Sequence, residues 1–131
     1  GPQAESRIHL LGYKSGEDLQ REVGNARFSV LSSEWRENMP YSGLESLAAQ
    51  TPIIGARIGG IPELVEEGKT GVTFESGNAV DLSNSMLKCA AVSALNYSAM
   101  QHSCREYVNA RCLQNEYALA LVDLYERVIQ R

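Results

Sequence analysis

The feature that most constrains the fold is the run TPIIGA at residues 51–56, which is too short for a helix and too apolar for an exposed strand. The segment before it, residues 43–50, carries apolar side chains at helical spacing. Directly after it, Gly59 and Gly60 indicate a tight turn. A buried strand that follows a helix is typical of a parallel sheet covered on both faces, so this run predicts an α/β domain.

The same alternation of strands and helices extends over the first 74 residues. Strands are predicted at residues 8–12, 28–31, 51–56 and 72–74. The first helix is predicted to begin at Ser15, with Asp18 in a capping-box position. Its buried face is predicted to be Leu19, Val23 and Ala26. We therefore predict a Rossmann-like parallel sheet of about four strands, flanked by helices.

Three further helices are predicted after Phe74 and give the chain a helical C-terminus. The first is capped by Asn78 and Asp81, the second spans about 98–111 and the third about 113–129. The side chains expected to face inward are, helix by helix, Leu82, Met86, Leu87 and Ala90; Met100, Cys104, Tyr107 and Val108; and Tyr117, Leu121, Leu124 and Val128. We expect these helices to cover the sheet and its end, with packing of the third on a partner domain left open.

Length, charge and composition exclude several classes of protein. The 131 residues have room for about one domain, expected at residues 3–131 because Gly1-Pro2 resembles the remnant of a cleaved tag. The net charge of −4 disfavours a nucleic-acid-binding surface. No apolar run reaches the roughly 18 residues of a membrane span. A cytoplasmic protein is expected, with peripheral contact at the inner membrane face left open for the full-length protein.

Three cysteines without a CxxC pair predict neither a disulfide framework nor a zinc site. Cys104 and Cys112 are expected to pack as small apolar side chains on helices.

Two glutamates eight positions apart, Glu37 and Glu45, are the best candidates for chemistry. Residues 42–45 match the capping box Ser-x-x-Glu, in which Glu45 would only accept from the amide of Ser42. Alternatively, a carboxylate in the first turn of a helix accepts both vicinal hydroxyls of a ribose, and Glu37 would face hydroxyls farther along the same ligand. The residues alone leave both interpretations open.

The helix start between the two glutamates, near residues 40–43, would offer unpaired amides and the positive end of the helix dipole to a phosphate. A hydroxyl-binding residue, an amide-lined helix start and a second hydroxyl-binding residue fit a sugar, a diphosphate and a ribose in that order. Gly59 and Gly60 would let such a ligand approach the backbone, although a turn that needs positive φ is the simpler explanation of the pair alone.

The remaining polar and aromatic side chains have simpler interpretations. Glu63 is expected to stabilise the N-terminus of its short helix, and Trp35 to pack. His9 and His102 have no carboxylate or serine partner nearby in the sequence, so a nucleophilic triad is not supported. Three cations could neutralise a phosphate, but each is more simply a solvated surface charge: Arg36, Arg57 and Lys69.

Several motifs occur in order and at fitting intervals: Ser33, Glu34-Trp35, Glu37-Asn38-Met39-Pro40, Leu44-Glu45, Thr51-Pro52-Ile53-Ile54, Gly59-Gly60-Ile61-Pro62-Glu63 and Gly68-Lys69-Thr70-Gly71. Together they resemble the nucleotide-sugar half of retaining glycosyltransferases of the GT-B fold, in particular glycosyltransferase family four. The resemblance covers residues 8–74 by motif, and the helices after them fit the family's usual ending. It implies an incomplete GT-B C-terminal domain.

The resemblance implies roles for individual residues. Glu37 matches the glutamate that contacts the donor hexose and helps to hold the reacting anomeric centre, so it is the implied catalytic residue. Glu45 matches the glutamate that binds the ribose hydroxyls. Pro40 stands where many members have glycine and removes one amide donor. The implied donor-binding set is Glu37, Asn38, Met39, Pro40, Tyr41, Glu45, Gly59 and Gly60.

The implied activity is transfer of a hexose from a nucleoside diphosphate sugar to a hydroxyl acceptor with retention, as in bacterial synthesis of polysaccharide, lipopolysaccharide or glycolipid. The nucleotide sugar is a substrate, and neither a metal nor another cofactor is implied. The acceptor, a sugar or lipid-linked sugar, would bind a separate N-terminal domain. Neither that domain nor the cations that clamp the diphosphate precede Ile8, so the chain alone is expected to be inactive.

Two other functions also fit the sequence. Nucleotide-sugar epimerases share the GT-B architecture and could use the same ribose-binding glutamate. A non-catalytic module that binds a nucleotide sugar or a protein would also fit.

The resemblance further predicts a gap in the sheet, because two strands of a full domain would separate the strand at residues 8–12 from the strand at residues 28–31. Either these two strands pair directly, or an open edge recruits another copy of the chain.

Overall fold

The computed structural model describes residues 7–112 and 114–129, with side chains for residues 7–112 and 118–129. The predicted tag remnant Gly1-Pro2 and the side chain of Tyr117 lie outside this description. The elements are, in chain order, α1 (Gly16–Asn25), β1 (Ser29–Leu31), α2 (Tyr41–Ala48), β2 (Ile53–Ala56), α3 (Ile61–Leu64), β3 (Gly71–Phe74), α4 (Ala79–Ala90), α5 (Ala94–Arg111) and α6 (Gln114–Ile129).

The three strands form one parallel sheet in the order β1-β2-β3. Val30 aligns with Ile54, and Ile54 with Val72. Each pair of neighbouring strands is joined through a helix, as parallel pairing requires, because the chain must return to the same end of the sheet. The predicted α/β class, with a Rossmann-like parallel sheet flanked by helices, is confirmed.

The central strand β2 contributes to a core on each face of the sheet. Successive side chains of a strand point to opposite faces, so Ile53 packs in one apolar cluster with Leu47 and Cys104. Its neighbour Ile54 packs in the other cluster with Phe74. All four residues of β2 are buried, which confirms the prediction made from their apolar run.

The predicted strand at residues 8–12 is wrong, and the sheet has three strands instead of about four. Ile8, Leu10 and Leu11 are more than half exposed, Leu10 at 96%. A strand is stable only when a neighbour accepts and donates its backbone hydrogen bonds. No described residue pairs with this segment. An apolar sequence therefore did not suffice to form a strand.

Strand β1 forms one edge of the sheet, since it pairs only with β2 among the described strands. Direct pairing between the segment at residues 8–12 and β1 was one of two predicted outcomes and does not occur. The other outcome, an open edge, is present at β1. Recruitment of a second copy by that edge stays a prediction.

The helices begin close to the predicted residues, whereas one of the two predicted caps is not formed. Ser15 is the N-cap of α1, but its side chain makes no capping hydrogen bond, so the predicted capping box is wrong. Asn78 caps α4 as predicted, because its side-chain oxygen accepts from the amides of Val80 at 3.1 Å and Asp81 at 3.0 Å. Helix α5 begins four residues before the predicted start, where Ser93 provides the cap.

The inner face of α4 differs from the predicted one. Leu82, Ser85 and Cys89 face the sheet at intervals of three and four residues, and Met86 and Leu87 are about half or more exposed. Ala90, also predicted to face inward, is exposed. Small side chains let α4 approach the sheet closely, and the hydrophobic pattern alone did not distinguish this face from its neighbour.

Helix α5 buries its predicted face, with Met100, Cys104 and Tyr107 inside and Val108 half-buried. Burial raises the pKa of the Cys104 thiol to about 12, so it packs as a protonated apolar side chain. Cys112, at the end of α5, is exposed, and its predicted packing is wrong.

Helix α6 does not cover the sheet as predicted. Leu124 and Val128 are more than half exposed, and Leu121 is the one half-buried side chain among residues 118–129. The physical reason is that α2 and α5 already cover one face of the sheet and α4 covers the other. No helix of the described chain is long and apolar enough to cross a bilayer.

Candidate functional site

The connection from β1 to α2, residues 32–40, lies at the carboxyl edge of the sheet and contacts the ends of the other two strands. The amide of Gly60, which follows β2, donates to the carbonyl oxygen of Glu37 at 2.6 Å. The hydroxyl of Ser76, which follows β3, donates to the carbonyl oxygen of Ser33 at 3.2 Å. Of the predicted candidate residues, Glu37, Asn38, Gly59 and Gly60 therefore lie together at the edge where parallel α/β sheets bind ligands.

Positions 59 and 60 have no room for a side chain, because the backbone of residues 37–38 packs directly against them. Gly59 has a φ of +55°, and a Cβ there would lie 2.5 Å from the carbonyl oxygen of Glu37. A Cβ at Gly60 would fall on the carbonyl oxygen of Asn38. Both glycines thus permit a close approach between two parts of the chain itself. Their contact with a bound donor stays a prediction.

The carboxylate of Glu37 is half-buried and oriented by a neighbouring serine. The hydroxyl of Ser33 donates to Glu37 Oε1 at 3.0 Å. Within the described residues, the other carboxylate oxygen has no hydrogen-bond partner. One oxygen of Glu37 is therefore fixed, and the other can accept from a ligand hydroxyl.

The start of α2 leaves several backbone amides without acceptors. Pro40 is the N-cap residue, directly before the first helical residue Tyr41, and has no side-chain oxygen with which to cap the helix. Its carbonyl oxygen accepts from the amides of Gly43 at 3.0 Å and Leu44 at 3.4 Å. The amides that find no acceptor in the described part of the chain are those of Asn38, Met39, Tyr41 and Ser42. Unpaired amides and the helix dipole together favour an anion here.

Glu45 was predicted in the first turn of α2 but lies just beyond it. The helix begins at Tyr41, its first turn has no acidic residue, and no side chain caps it. The capping box between Ser42 and Glu45, the structural interpretation of this glutamate, is therefore not formed. The exposed carboxylate borders a pocket of about 470 Å³ between α1 and α2, lined also by Gln20, Gly24, Ala48 and Ala49.

The three candidate cations do not gather around the helix start. The Arg57 guanidinium donates to the carboxylate of Asp81 at 3.1 Å. The backbone amide of Glu75 and this guanidinium together lower the pKa of Asp81, the amide contributing most. Lys69 precedes β3 and so lies at the amino edge of the sheet, away from Glu37. Arg36 is exposed.

Three large side chains around Glu37 face solvent. Trp35 is 79% exposed and Tyr41 is 82% exposed, so the predicted packing of Trp35 is wrong. Met39 lies between them in the sequence and is nearly half exposed. Aromatic rings exposed beside a polar site offer flat apolar surfaces on which a sugar or a base can stack.

The histidines form no catalytic group in the described residues. His9 is exposed, and His102 pairs with Glu106 at 3.3 Å, one turn along α5, so the expectation that His102 has no carboxylate partner nearby was wrong. Within the same residues, no three His, Cys, Asp or Glu side chains lie close enough together to hold a metal ion.

Sequence reasoning gave no role to Ser33 beyond its place in a motif, and it missed Ser76 and the fit of Gly60 against Asn38. A serine four residues before Glu37 was the available signal for Ser33. The sequence around Ser76 contains no such signal, because its partner Ser33 is 43 positions away in the chain.

The sequence model of the glycosyl transferases group 1 family matches residues 3–110. The chain belongs to this family. Two proteins of similar sequence agree with this assignment. An uncharacterized glycosyltransferase of Methanocaldococcus jannaschii is 32% identical over 83 residues, which are 63% of this chain and 23% of that protein. The N-acetyl-alpha-D-glucosaminyl L-malate synthase of Bacillus anthracis is 30% identical over 84 residues, 64% of this chain and 21% of that protein.

Solved glycosyltransferase structures share the fold of this member of the glycosyl transferases group 1 family. HepE of Anabaena, solved in complex with UDP, superposes with a TM-score of 0.79 at 20% sequence identity, over 92% of this chain and 34% of that one. This likeness shows a shared α/β fold. The chain spans about a fifth of the length of the curated relatives it matches.

Proposed function

We propose that this chain is the donor-binding part of a hexosyltransferase of glycosyltransferase family four. The full-length protein would transfer a hexose from a nucleoside diphosphate sugar to a hydroxyl acceptor with retention of configuration. Membership of the glycosyl transferases group 1 family supports the general reaction. HepE, whose fold this chain shares, has been solved with UDP and with UDP-glucose, which supports a nucleotide sugar as the donor.

The observation that carries the proposal is that the Glu37 carboxylate directly precedes the unpaired amides of residues 38, 39, 41 and 42, at the carboxyl edge of the sheet. In the proposed complex, the free oxygen of Glu37 accepts from a hydroxyl of the hexose and holds the anomeric carbon near the acceptor. The amides of Asn38, Met39 and Tyr41 face the diphosphate. Pro40 supplies no amide hydrogen and fixes the turn between them.

The proposed catalysis is mainly electrostatic. Negative charge develops on the diphosphate as its bond to the hexose breaks, and oriented amides at a helix start stabilise that charge without having to reorganise. Glu45, exposed above the pocket between α1 and α2, binds the two ribose hydroxyls. Gly59 and Gly60 keep the turn after β2 close to the hexose. No metal or other cofactor takes part in this proposal.

The proposal places the acceptor, a sugar or a lipid-linked sugar, on another domain of the full-length protein. Cations that clamp the diphosphate are expected in a further segment of the donor-binding domain, because Arg57 is engaged by Asp81 and Lys69 lies at the opposite edge of the sheet. We place the full-length protein in the bacterial cytoplasm, where it would serve synthesis of polysaccharide or glycolipid at the inner membrane face.

A saturation-transfer NMR screen of the full-length protein tests donor binding with UDP-glucose, GDP-mannose and ADP-glucose as separate probes. We expect one of them to receive saturation on both its hexose and its ribose protons. The Glu37→Gln variant should bind the same nucleotide and lose transfer. Absence of binding to all three, or full transfer by this variant, would contradict the proposal.

Two incubations test the reaction itself. Donor and acceptor together should give a product whose anomeric proton has the configuration of the donor. Donor alone should leave the sugar unchanged, whereas an epimerase would convert it without an acceptor. Binding without either reaction would identify a non-catalytic module.

A further inference from the structure

The Glu37 carboxylate depends on a single side chain for its orientation within the described residues. The hydroxyl of Ser33 donates to Glu37 Oε1 at 3.0 Å, and both side chains are half-buried. A glutamate side chain has three rotatable torsions, and without a partner its carboxylate samples several rotamers. The serine hydroxyl therefore selects one orientation and leaves the second oxygen open.

Ser33 is itself held by the third strand. Its carbonyl oxygen accepts from the hydroxyl of Ser76 at 3.2 Å, and Ser76 lies two residues beyond the end of β3. The other end of the same loop is fixed where the Gly60 amide donates to the carbonyl oxygen of Glu37 at 2.6 Å. The residues that follow β2 and β3 thus both contact the loop that follows β1, at Ser33 and at Glu37.

We propose that Ser33 is a positioning residue for the Glu37 carboxylate, and that Ser76 supports it by fixing the Ser33 backbone. This inference rests on the proposed role of Glu37 in holding the hexose. A carboxylate placed within a fraction of an ångström of its productive position accelerates the reaction more than one that must find that position in each turnover. Ser33 never touches the donor and acts only through Glu37.

The first test needs no ligand. In full-length protein labelled with ¹³C-glutamate, the side-chain carboxyl resonance of Glu37 is assigned by its disappearance in Glu37→Gln. We expect Ser33→Ala to move this resonance, and Ser33→Thr, which keeps the hydroxyl, to restore it. Ser32→Ala is the matched control, since Ser32 is the adjacent exposed serine. An unmoved Glu37 resonance in Ser33→Ala would overturn the inference.

The second test measures transfer with UDP-glucose, GDP-mannose and ADP-glucose in parallel. Ser33→Ala should lower kcat about tenfold with little change in KM, since a hydrogen bond to a charged group contributes a factor of this order. Ser33→Thr should recover most of that loss, and Ser76→Ala should lower kcat about threefold. Loss of kcat in Ser33→Thr equal to that in Ser33→Ala would contradict a role for the hydroxyl.

A double-mutant cycle separates positioning from a merely structural role. In the Glu37→Gln background, Ser33→Ala should cause no further loss of kcat, because the carboxylate that it orients is already gone. A full additional tenfold loss would show that Ser33 acts independently of Glu37 and would overturn the inference.

Failure of the inference and failure of the proposed function give different results. If Glu37→Gln loses transfer while Ser33→Ala matches wild type in kcat and in the carboxyl resonance, only the inference is wrong. If Glu37→Gln keeps wild-type kcat, the proposed role of Glu37 is wrong and the inference falls with it. If none of the three nucleotide sugars reacts, the Glu37 carboxyl resonance in Ser33→Ala decides: a moved resonance supports the positioning of Glu37 by Ser33, and an unmoved one overturns it.

Discussion

The two glutamates of the candidate site lie eight positions apart, yet the fold holds them in different ways. Glu37 sits in a loop whose backbone is pressed against Gly59 and Gly60 and whose carboxylate is bound by Ser33. Glu45 projects from α2 beside α1, where Gly24 has open space around it. The first carboxylate is placed by contacts between distant segments, and the second by helical geometry alone. The two regions should therefore respond differently to the same kind of change.

The largest difference between the two regions is expected when one glycine in each is replaced by alanine. In Gly60→Ala the new Cβ would collide with the carbonyl oxygen of Asn38, so the loop that carries Glu37 must move. We expect a loss of about 3 kcal/mol in the free energy of unfolding, as for a severe overpacking change. Urea denaturation of the chain followed by circular dichroism measures this loss.

Gly24→Ala is the matched control in the region of Glu45. Nothing lies within 4 Å of a Cβ at Gly24, which is helical. Alanine should therefore raise the free energy of unfolding by about 0.5 kcal/mol through its higher helix propensity. Equal stability of the two glycine variants would remove the structural basis of the comparison.

Removing the charge of Glu37 should affect turnover more than folding. Glu37→Gln in the full-length protein is expected to lower kcat about 100-fold, a loss typical for an oriented group that stabilises the transition state. The free energy of unfolding should change by less than about 0.5 kcal/mol, since one carboxylate oxygen faces solvent. Steady-state kinetics and urea denaturation of the same preparation check both expectations.

Removing the charge of Glu45 should affect donor affinity more than turnover. Glu45→Gln is expected to raise the dissociation constant for the nucleotide sugar about tenfold, because one charged acceptor for the ribose hydroxyls is lost. Titration calorimetry with the donor found in the NMR screen measures the change, and kcat at saturating donor should stay within about twofold. A large fall in kcat with unchanged affinity would reverse the assignment of the two glutamates.

The smallest effect is expected for a change at Asp81, whose side chain, rather than its backbone, supports the edge of the sheet. The Glu75 amide and the Arg57 guanidinium hold the pKa of Asp81 below its ordinary value of 3.8. The carboxylate therefore contributes stability above that value, and this contribution is lost as the pH falls through the lower folded pKa. In Asp81→Asn, the melting temperature should lie slightly below wild type at neutral pH, and the difference should shrink below about pH 4.

A pH series of thermal melts for wild type and Asp81→Asn checks this sign. A difference that grows as the pH falls would mean that Asp81 is destabilising when charged. Because Arg57 precedes the turn at Gly59 by two residues, unchanged donor binding in Asp81→Asn would show that backbone packing alone keeps the turn in place.

Much of the fold followed from local spacing. The apolar run of β2, the inward face of α5 and the Asn78 cap of α4 were predicted because periodicity and capping are written in neighbouring residues. The inner face of α4 was misjudged because small residues, Ser85 and Cys89, pack against the sheet where larger ones were expected. The predicted strand at residues 8–12 failed because strand formation needs a partner that a local pattern does not reveal.

The candidate site divides in the same way. The sequence determined by itself that two glutamates flank a helix start and that a glycine pair follows the next buried strand, because these features depend on order and spacing along the chain. Only the tertiary structure decided that Gly60 closes on Asn38, that Ser33 and Ser76 tie Glu37 to the sheet, and that α6 leaves its apolar side chains exposed. The contacts of Gly60 with Asn38 and of Ser76 with Ser33 join residues far apart in the sequence, so packing at the sheet edge, rather than any local pattern, sets which atoms meet.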